Sequence, residues 1–225
     1  MSSKQVSQSV DDYLKAILEL SGPAEARVTT NVLAERLRVR NPSVTGMLQK
    51  LASHHPPLVQ YEKHHGARLT AAGRRRAWEL VRHHRLLELF LHDVLHYPWD
   101  EVHEEAERLE HFISERFEDR IAAILGDPDI DPHGHAIPAK YEPGVYRDEV
   151  PLPGWPRRTP ARISSVSDRD PAALRELERL GLMPGVKLWV EEIKPKASLA
   201  LRISGGKEVV RLEMHLANCV RVSRS

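Results

Sequence analysis

The chain has 225 residues, of which 41% are hydrophobic and 29% charged, which is enough apolar material for one large domain or two to three small ones. Its net charge of +1 means that any contact with nucleic acid depends on a local basic patch. The one cysteine, Cys219, excludes an intramolecular disulfide framework and a four-thiolate zinc site. The sequence has no signal-like apolar core and no apolar run long enough to span a membrane, which predicts a cytoplasmic protein with no membrane partner.

The N-terminal zone contains short amphipathic segments followed by two short β runs. Apolar residues at helical spacing predict three helices, with Thr29 or Thr30 as the cap of the second and Asn41 as the cap of the third. The β runs lie at 58–61 and 67–70. This order is typical of a DNA-binding winged helix-turn-helix. The alternative is a small helical domain with an incidental hairpin.

The rest of the chain is helical first and β-rich afterwards. Long helices are predicted at 71–95 and 99–125, and the first is apolar on more than one side, which indicates core packing together with a homodimer interface. Prolines crowd the segment 126–160 and indicate a linker. Five strands and one helix within 161–225 predict a small SH3-like β-barrel.

Metal-binding residue types recur at helical spacing in the second zone, and thirteen histidines are many for this length. On a single helix over 99–125, one arc of about 100° holds four of them: His103, Glu107, Glu110 and His111. The preceding helix presents His84 and Glu88 on one face, and the first helix carries Asp11 and Asp12. Carboxylates in a semi-buried crevice need a countercharge, which a metal ion supplies. Nitrogen and oxygen donors without thiolate suit Mn²⁺ or Fe²⁺ better than structural zinc.

Other interpretations remain open at this point. The glutamates can form a solvated acidic face paired with Arg108 and Arg116, which leaves a metal-independent winged-helix regulator. A metallohydrolase is the less favoured alternative, because no His-Glu-x-x-His motif, paired Glu-x-x-His motif, glycine-rich phosphate loop or activated serine is present. The sequence therefore predicts no catalytic residues, no small-molecule substrate and no enzyme.

Four segments resemble the diphtheria toxin repressor / manganese transport regulator (DtxR/MntR) family: residues 10–14, 42–45, 102–111 and 131–134. The resemblance spans nearly the whole chain, and its C-terminal part is similar to the SH3-like FeoA type. It implies a mainly α protein with α+β parts: a winged helix-turn-helix domain at 1–75, a helical metal-binding and dimerisation domain at 76–150, and an SH3-like FeoA-type β-barrel at 151–225. It also implies a metal-activated homodimer that binds palindromic double-stranded operator DNA and usually represses metal-uptake genes.

Carried over by position, the family's main metal site consists of Asp12, Glu107, Glu110 and His111. Iron-sensing members have a methionine and a cysteine in place of Asp12 and Glu107, whereas manganese-sensing members favour carboxylates, so Mn²⁺ is the preferred metal and Fe²⁺ the alternative. Manganese regulators have a glutamate one turn after Asp12, but this chain has Lys15, whose ammonium would repel a second cation.

The resemblance assigns further ligands and the operator-facing residues. His84, Glu88 and His103 fall at ancillary or shared ligand positions, as does Asp170, which alternatively caps the helix after it. Hydroxyls and cations in this setting mainly contact phosphates, and few side chains read bases. Thr30 and Asn31 lie at a helix N-terminus, where they can contact a phosphate. Five positions align with the family's operator-facing residues: Arg40, Pro42, Ser43, Thr45 and Gly46. Gln49 and Lys50 lie one turn further on.

Overall fold

The computed structural model describes residues 8–206 and 208–225, and the chain divides into two compact units. Unit 1 contains the residues up to His83 together with Glu110–Ile113 and Pro138–Tyr146. Unit 2 contains His84–Leu109, Ser114–Ile137 and Arg147–Ser225. The three-domain boundaries expected from the sequence stay a prediction. No helix among the described residues is long and apolar enough to cross a membrane.

The N-terminal elements follow the predicted order of three helices and a hairpin. They are α1 Gln8–Ser21, α2 Thr30–Leu37, α3 Asn41–Ala52, β1 Val59–Glu62 and β2 Gly66–Leu69. The two strands pair in antiparallel register. The helix-turn-helix with a two-stranded wing is thereby confirmed.

The helix caps agree with the sequence in α2 and differ in α3. Thr29 caps α2, since its hydroxyl accepts a hydrogen bond from the Val32 amide. The predicted cap of α3, Asn41, is wrong: Arg40 holds the cap position and Asn41 is the first helical residue. The Asn41 side chain instead donates to Asn31 Oδ1 over 2.9 Å, which links α3 to the start of α2.

Gly66 permits a close approach at the wing. Its φ of 88° lies in the left-handed region, and a Cβ placed there would come within 2.3 Å of the Val28 carbonyl oxygen. Val28 forms an isolated antiparallel bridge with Ala67. Glycine is therefore required where the wing meets the segment before α2.

Unit 1 has a hydrophobic core of its own. The buried faces of α1, α2 and α3 meet the hairpin and the start of α4 there, as the 3.6-residue spacing predicts. Its fully buried members include Leu14, Ile17, Leu33, Val44 and Leu48.

The middle of the chain has three helices where the sequence predicts two. They are α4 Ala71–Asp93, α5 Val102–Leu109 and α6 Glu115–Ile124. The single helix expected over 99–125 is wrong, because the chain leaves helical geometry after Leu109 and Ser114 caps a new helix by accepting from the Phe117 amide. Glu110 and His111 therefore lie beyond the end of α5.

The C-terminal part of unit 2 is an antiparallel six-stranded sheet in the order β3-β8-β4-β5-β6-β7. Its elements are β3 Val150–Pro151, β4 Pro160–Val166, α7 Pro171–Arg179, β5 Lys187–Lys194, β6 Ser198–Ile203, β7 Val209–Glu213, α8 Met214–Ala217 and β8 Val220–Arg224. Alternate side chains of the long strands enter a second core with residues such as Ile163, Leu188 and Leu201. The β-rich C-terminal domain is confirmed, and the short edge strand β3 within the proline-rich segment is an addition.

Candidate metal centre and nucleic-acid interface

In unit 2, four metal-binding side chains converge, and we call them the histidine cluster: His84, Glu88, His103 and Asp168. Helix α4 places His84 and Glu88 one turn apart, so His84 Nε2 lies 2.9 Å from Glu88 Oε1. From α5, His103 Nδ1 lies 3.0 Å from both His84 Nε2 and Glu88 Oε1. One ligand atom from each of the four residues lies within 4.8 Å of the others, a spacing that suits a single divalent cation.

The fourth member of this cluster comes from the loop between β4 and α7. Asp168 Oδ2 lies 3.5 Å from His103 Nδ1. The resemblance placed an ancillary ligand at Asp170, with a helix cap as the alternative; Asp170 is the N-cap of α7 and accepts from the Ala172 and Ala173 amides at 3.0 and 3.2 Å. Among the described residues, the atoms grouped around His103 include Asp168 and not Asp170. Sequence reasoning missed Asp168, whose nearest signal was its position two residues before that cap.

The histidine cluster and its neighbour His133 each have one buried polar atom without a hydrogen-bond partner among the described residues. Glu88 is fully buried, and its Oε2 makes no hydrogen bond to any described residue; the same holds for Nδ1 of nearby His133. Burial alone raises the pKa of Glu88, but the imidazoles of His84, His103 and His133 hold it well below its usual range. An ionised, fully buried carboxylate with an unused oxygen fits a metal ligand.

A second group of donors adjoins the histidine cluster in unit 2. Glu88, Asp131 and His133 also have ligand atoms within 4.8 Å of one another, and all three are buried. His135 Nδ1 lies 3.2 Å from Asp131 Oδ2 and 3.8 Å from Asp168 Oδ2. Burial opposes the charged ring, but Asp131 and Asp168 raise the pKa of His135 to about 9. Burial likewise opposes ionisation of Asp168, yet His135 and His103 lower its pKa to about 2.

In unit 1, three of the four predicted main-site residues come together with Asp11 and two cations. We call this group the N-terminal cluster: Asp11, Asp12, Lys15, Arg76, Glu110 and His111. His111 Nε2 lies 3.1 Å from Asp12 Oδ1 and 3.6 Å from Glu110 Oε1. The fourth predicted residue, Glu107, belongs to unit 2, where it contacts His103 at 3.6 Å. The assignment of a metal to this set stays a prediction.

The imidazole of His111 lies among carboxylates. Burial disfavours its charged form, but contacts with Asp11 and Asp12 and the charge of Glu110 raise its pKa to about 9. Nδ1 of the ring is buried and 3.7 Å from Asp11 Oδ2, beyond hydrogen-bond length. His111 therefore has one close carboxylate partner, Asp12.

The predicted DNA-facing residues lie on an accessible face of unit 1. Leu48 and Val44 bury the opposite side of α3. The exposed positions are Asn31 on α2, Arg40 before α3, and Pro42, Ser43, Gly46, Gln49 and Lys50 on α3, with Thr30 and Thr45 half-buried. The wing tip over residues 63–65 is exposed as well. An exposed helix beside an exposed wing is the arrangement that enters a major groove in this fold.

The basic triplet 74–76 is largely engaged within unit 1. Arg74 pairs with Glu25, and Arg76 pairs with Asp11. Only Arg75 is exposed. These pairs favour a structural role for Arg74 and Arg76 over contact with DNA.

Family models match in three consecutive segments. The models described as "Iron dependent repressor, N-terminal DNA binding domain" and "Iron dependent repressor, metal binding and dimerisation domain" match residues 5–67 and 70–139. The FeoA domain model matches residues 150–224.

Similar proteins cover most of the chain. The iron-dependent repressor IdeR of Mycobacterium tuberculosis is 31% identical over 94% of this chain and 95% of its own length. The diphtheria toxin repressor of Corynebacterium diphtheriae is 32% identical over 67% of this chain and 66% of its own length. A solved manganese-dependent transcriptional repressor in complex with manganese matches with a TM-score of 0.87 at 34% identity, over 96% of this chain and 100% of that one. The chain therefore belongs to the diphtheria toxin repressor / manganese transport regulator family of metal-dependent transcriptional repressors.

Proposed function

We propose that the chain is a Mn²⁺-responsive repressor of metal-uptake genes, which holds its metal in the histidine cluster and binds a palindromic operator as a homodimer. The observation that carries the proposal is the fully buried Glu88 carboxylate, which lies 2.9 Å from His84 and 3.0 Å from His103 and keeps one oxygen without a hydrogen-bond partner among the described residues. A buried carboxylate of this kind is costly unless a cation compensates it. A bound divalent ion would supply that positive charge and hold the donors at fixed spacing.

The donor chemistry fits Mn²⁺ or Fe²⁺ better than a structural zinc site. Two imidazoles and two carboxylates contribute nitrogen and oxygen to the cluster. The cysteine of the chain, Cys219, is not among these four residues. Such donors suit Mn²⁺ and Fe²⁺. The similarity to a manganese-dependent repressor supports Mn²⁺, while the iron-dependent relatives keep Fe²⁺ as the second candidate.

Helix α4 connects this cluster with the DNA-binding elements along the chain. It begins at Ala71, two residues after the wing strand β2 ends, and carries His84 and Glu88 further along the same helix. A metal ion that holds the four donors together restricts the positions that α4 adopts. The DNA-binding domains of the two protomers then lose less conformational entropy when they bind successive major grooves. Without a metal ion, the neighbouring imidazoles are left to compensate the charges of Glu88 and Asp168, and no shared ion holds the four donors together.

A titration of operator binding tests the proposal. DNA selected by the protein from a random pool is titrated in a gel shift with Mn²⁺, anaerobic Fe²⁺, Zn²⁺ and excess chelator. We expect tight binding with Mn²⁺ and its loss on chelation. The Glu88→Gln variant should stay unresponsive, whereas Glu104→Gln, an exposed residue paired with Arg108, serves as the matched control. Binding that chelator leaves unchanged would instead support a metal-independent regulator.

A further inference from the structure

Lys15 lies where a cation would meet the N-terminal cluster. Its Nζ is 2.9 Å from Glu110 Oε1 and 2.8 Å from Glu110 Oε2, so one ammonium engages both oxygens of the carboxylate. The Lys15 side chain is 11% exposed and that of Glu110 is 2% exposed. This pair joins α1 to the turn after α5 within unit 1.

The next carboxylate of the cluster also has a fixed cation. Arg76 holds Asp11 in a two-point contact, with Nε 3.0 Å from Oδ1 and a terminal nitrogen 3.1 Å from Oδ2. Such forked pairs are among the stronger charge-assisted hydrogen bonds. Lys15 and Arg76 thus compensate Glu110 and Asp11, the two buried carboxylates of the cluster.

Few donors then remain for a metal ion. Among the described residues of unit 1, Asp12, whose side chain is 44% exposed, and His111 are the cluster's donors for which no contact with a lysine or an arginine is seen. Mn²⁺ prefers an octahedral set of oxygen-rich ligands. A cation that used Glu110 would have to displace the Lys15 ammonium and overcome its repulsion.

We infer that Lys15 is a built-in countercation that takes the place of a metal ion in the N-terminal cluster. The contact between α1 and the Glu110–His111 turn is then independent of metal. The response to metal depends on the histidine cluster alone, a part of the inference that rests on the proposed function. The part of the family's main site that falls in unit 1, namely Asp12, Glu110 and His111 without Glu107, is accordingly replaced by an internal ion pair.

Metal counting with the full-length protein tests the inference. Mn²⁺ bound after dialysis is measured by elemental analysis, and affinity by calorimetry, for the wild type, Asp12→Asn and Glu88→Gln. We expect Asp12→Asn to bind the same number of Mn²⁺ ions with an affinity within about threefold, and Glu88→Gln to lose at least one ion. Loss of an ion in Asp12→Asn would overturn the inference.

The stability of the chelator-treated protein provides a second, metal-free readout. Lys15→Met leaves the buried Glu110 carboxylate without its cation and should lower the melting temperature of unit 1 by about 5–15 °C. The double variant Lys15→Met/Glu110→Gln removes both charges and should recover at least half of that loss. Added Mn²⁺ should raise the melting temperature of Lys15→Met more than that of the double variant, because only the former keeps the Glu110 carboxylate. An unchanged melting temperature in Lys15→Met would contradict the inference.

The two readouts separate the inference from the proposed function. A wild-type protein that binds no Mn²⁺ refutes the proposed function, while the chelator-treated stability series still decides whether Lys15 is the countercation. Normal Mn²⁺ binding combined with loss of an ion in Asp12→Asn refutes the inference and leaves the repressor function intact.

Discussion

Glu88 belongs to both groups of candidate metal ligands in unit 2. Its carboxylate lies against His84 and His103, and His133 Nδ1 is 3.7 Å from the same oxygen. Since the side chain is fully buried, no water replaces a lost partner. A change at Glu88 should therefore affect metal binding more than a change at any single imidazole.

Glu88→Gln keeps the shape of the side chain and removes its charge. We expect Mn²⁺ affinity to fall at least about 100-fold, because a ligand and the main buried countercharge are lost together. Isothermal calorimetry measures the change, with Glu104→Gln as the exposed control. Equal affinities in the two variants would remove Glu88 from the metal site.

His135 predicts how the metal-free protein responds to pH. Its pKa rises from 6.5 to about 9 through Asp131 and Asp168, so the charged ring stabilises the folded state fully below pH 6.5 and this contribution is lost as pH rises through about 9. In the wild type, the free energy of unfolding should therefore decrease over this pH range. In His135→Gln, this decrease should be smaller by on the order of 2 kcal/mol. Urea denaturation in chelator at several pH values between those limits measures it. Parallel wild-type and variant curves would contradict the pairing.

At the scale of elements, helix α3 and the wing present the residues that are predicted to contact DNA. Val44 and Leu48 fix one face of α3 in the core, which leaves Gln49 and Lys50 exposed. A glutamine reads base edges, whereas a lysine mainly compensates phosphate charge. The two side chains should therefore affect binding in different ways.

Lys50→Ala should weaken binding to operator and to random DNA by similar factors and reduce the salt slope by about one. Gln49→Ala should weaken operator binding by about 1–3 kcal/mol and spare random DNA. Fluorescence anisotropy at several salt concentrations separates the two effects. Lys194→Ala, an exposed lysine of β5, is the control, and an equal loss in that variant would indicate a general charge effect.

Gly66→Ala tests the close approach at the wing. The added Cβ would meet the Val28 carbonyl at 2.3 Å at a positive φ, so unit 1 should lose at least about 2 kcal/mol of stability. Gly46→Ala is the matched control, because nothing lies within 4 Å of its added Cβ inside α3, and it should gain about 0.5–1 kcal/mol. Chemical denaturation followed by circular dichroism compares them. A neutral Gly66→Ala would rule out the tight contact.

At the scale of the molecule, each unit has its own core and its own charged cluster. Leu48 belongs to the core of unit 1 and Leu201 to that of unit 2, and both side chains are fully buried. The histidine cluster lies within unit 2 and the Lys15–Glu110 pair within unit 1. Metal should therefore act on the stability of one unit more than on the other.

Calorimetric unfolding of the whole chain should show two transitions that respond to different changes. Leu48→Ala should lower one and Leu201→Ala the other, each by about 2–5 kcal/mol of stability. Mn²⁺ should raise the transition that Leu201→Ala lowers, since binding to the folded state stabilises it. An equal rise in the temperatures of both transitions would show that the metal does not stabilise unit 2 alone.

Much of the architecture follows from local signals. The spacing of apolar residues predicted the helices of unit 1, the hairpin and the long strands, because burial of one face imposes a period of about 3.6 residues on a helix and of about two on a strand. The same spacing did not predict the end of α5 at Leu109. Residues 102–117 keep a helical spacing of apolar residues, although Ser114 caps a new helix. Propensity and periodicity do not show where a cap competes with helix continuation.

The sequence by itself determined the family, the helix-turn-helix with its wing, and the side-chain types at His84, Glu88 and His103, because these depend on residue identity and spacing. Only the tertiary structure decided which charges meet. It placed Asp168 in the histidine cluster and Asp170 at a helix cap, and it set Lys15 on Glu110, 95 residues apart in the chain. Coulomb energy depends on distances in space and on burial, and a linear sequence contains neither.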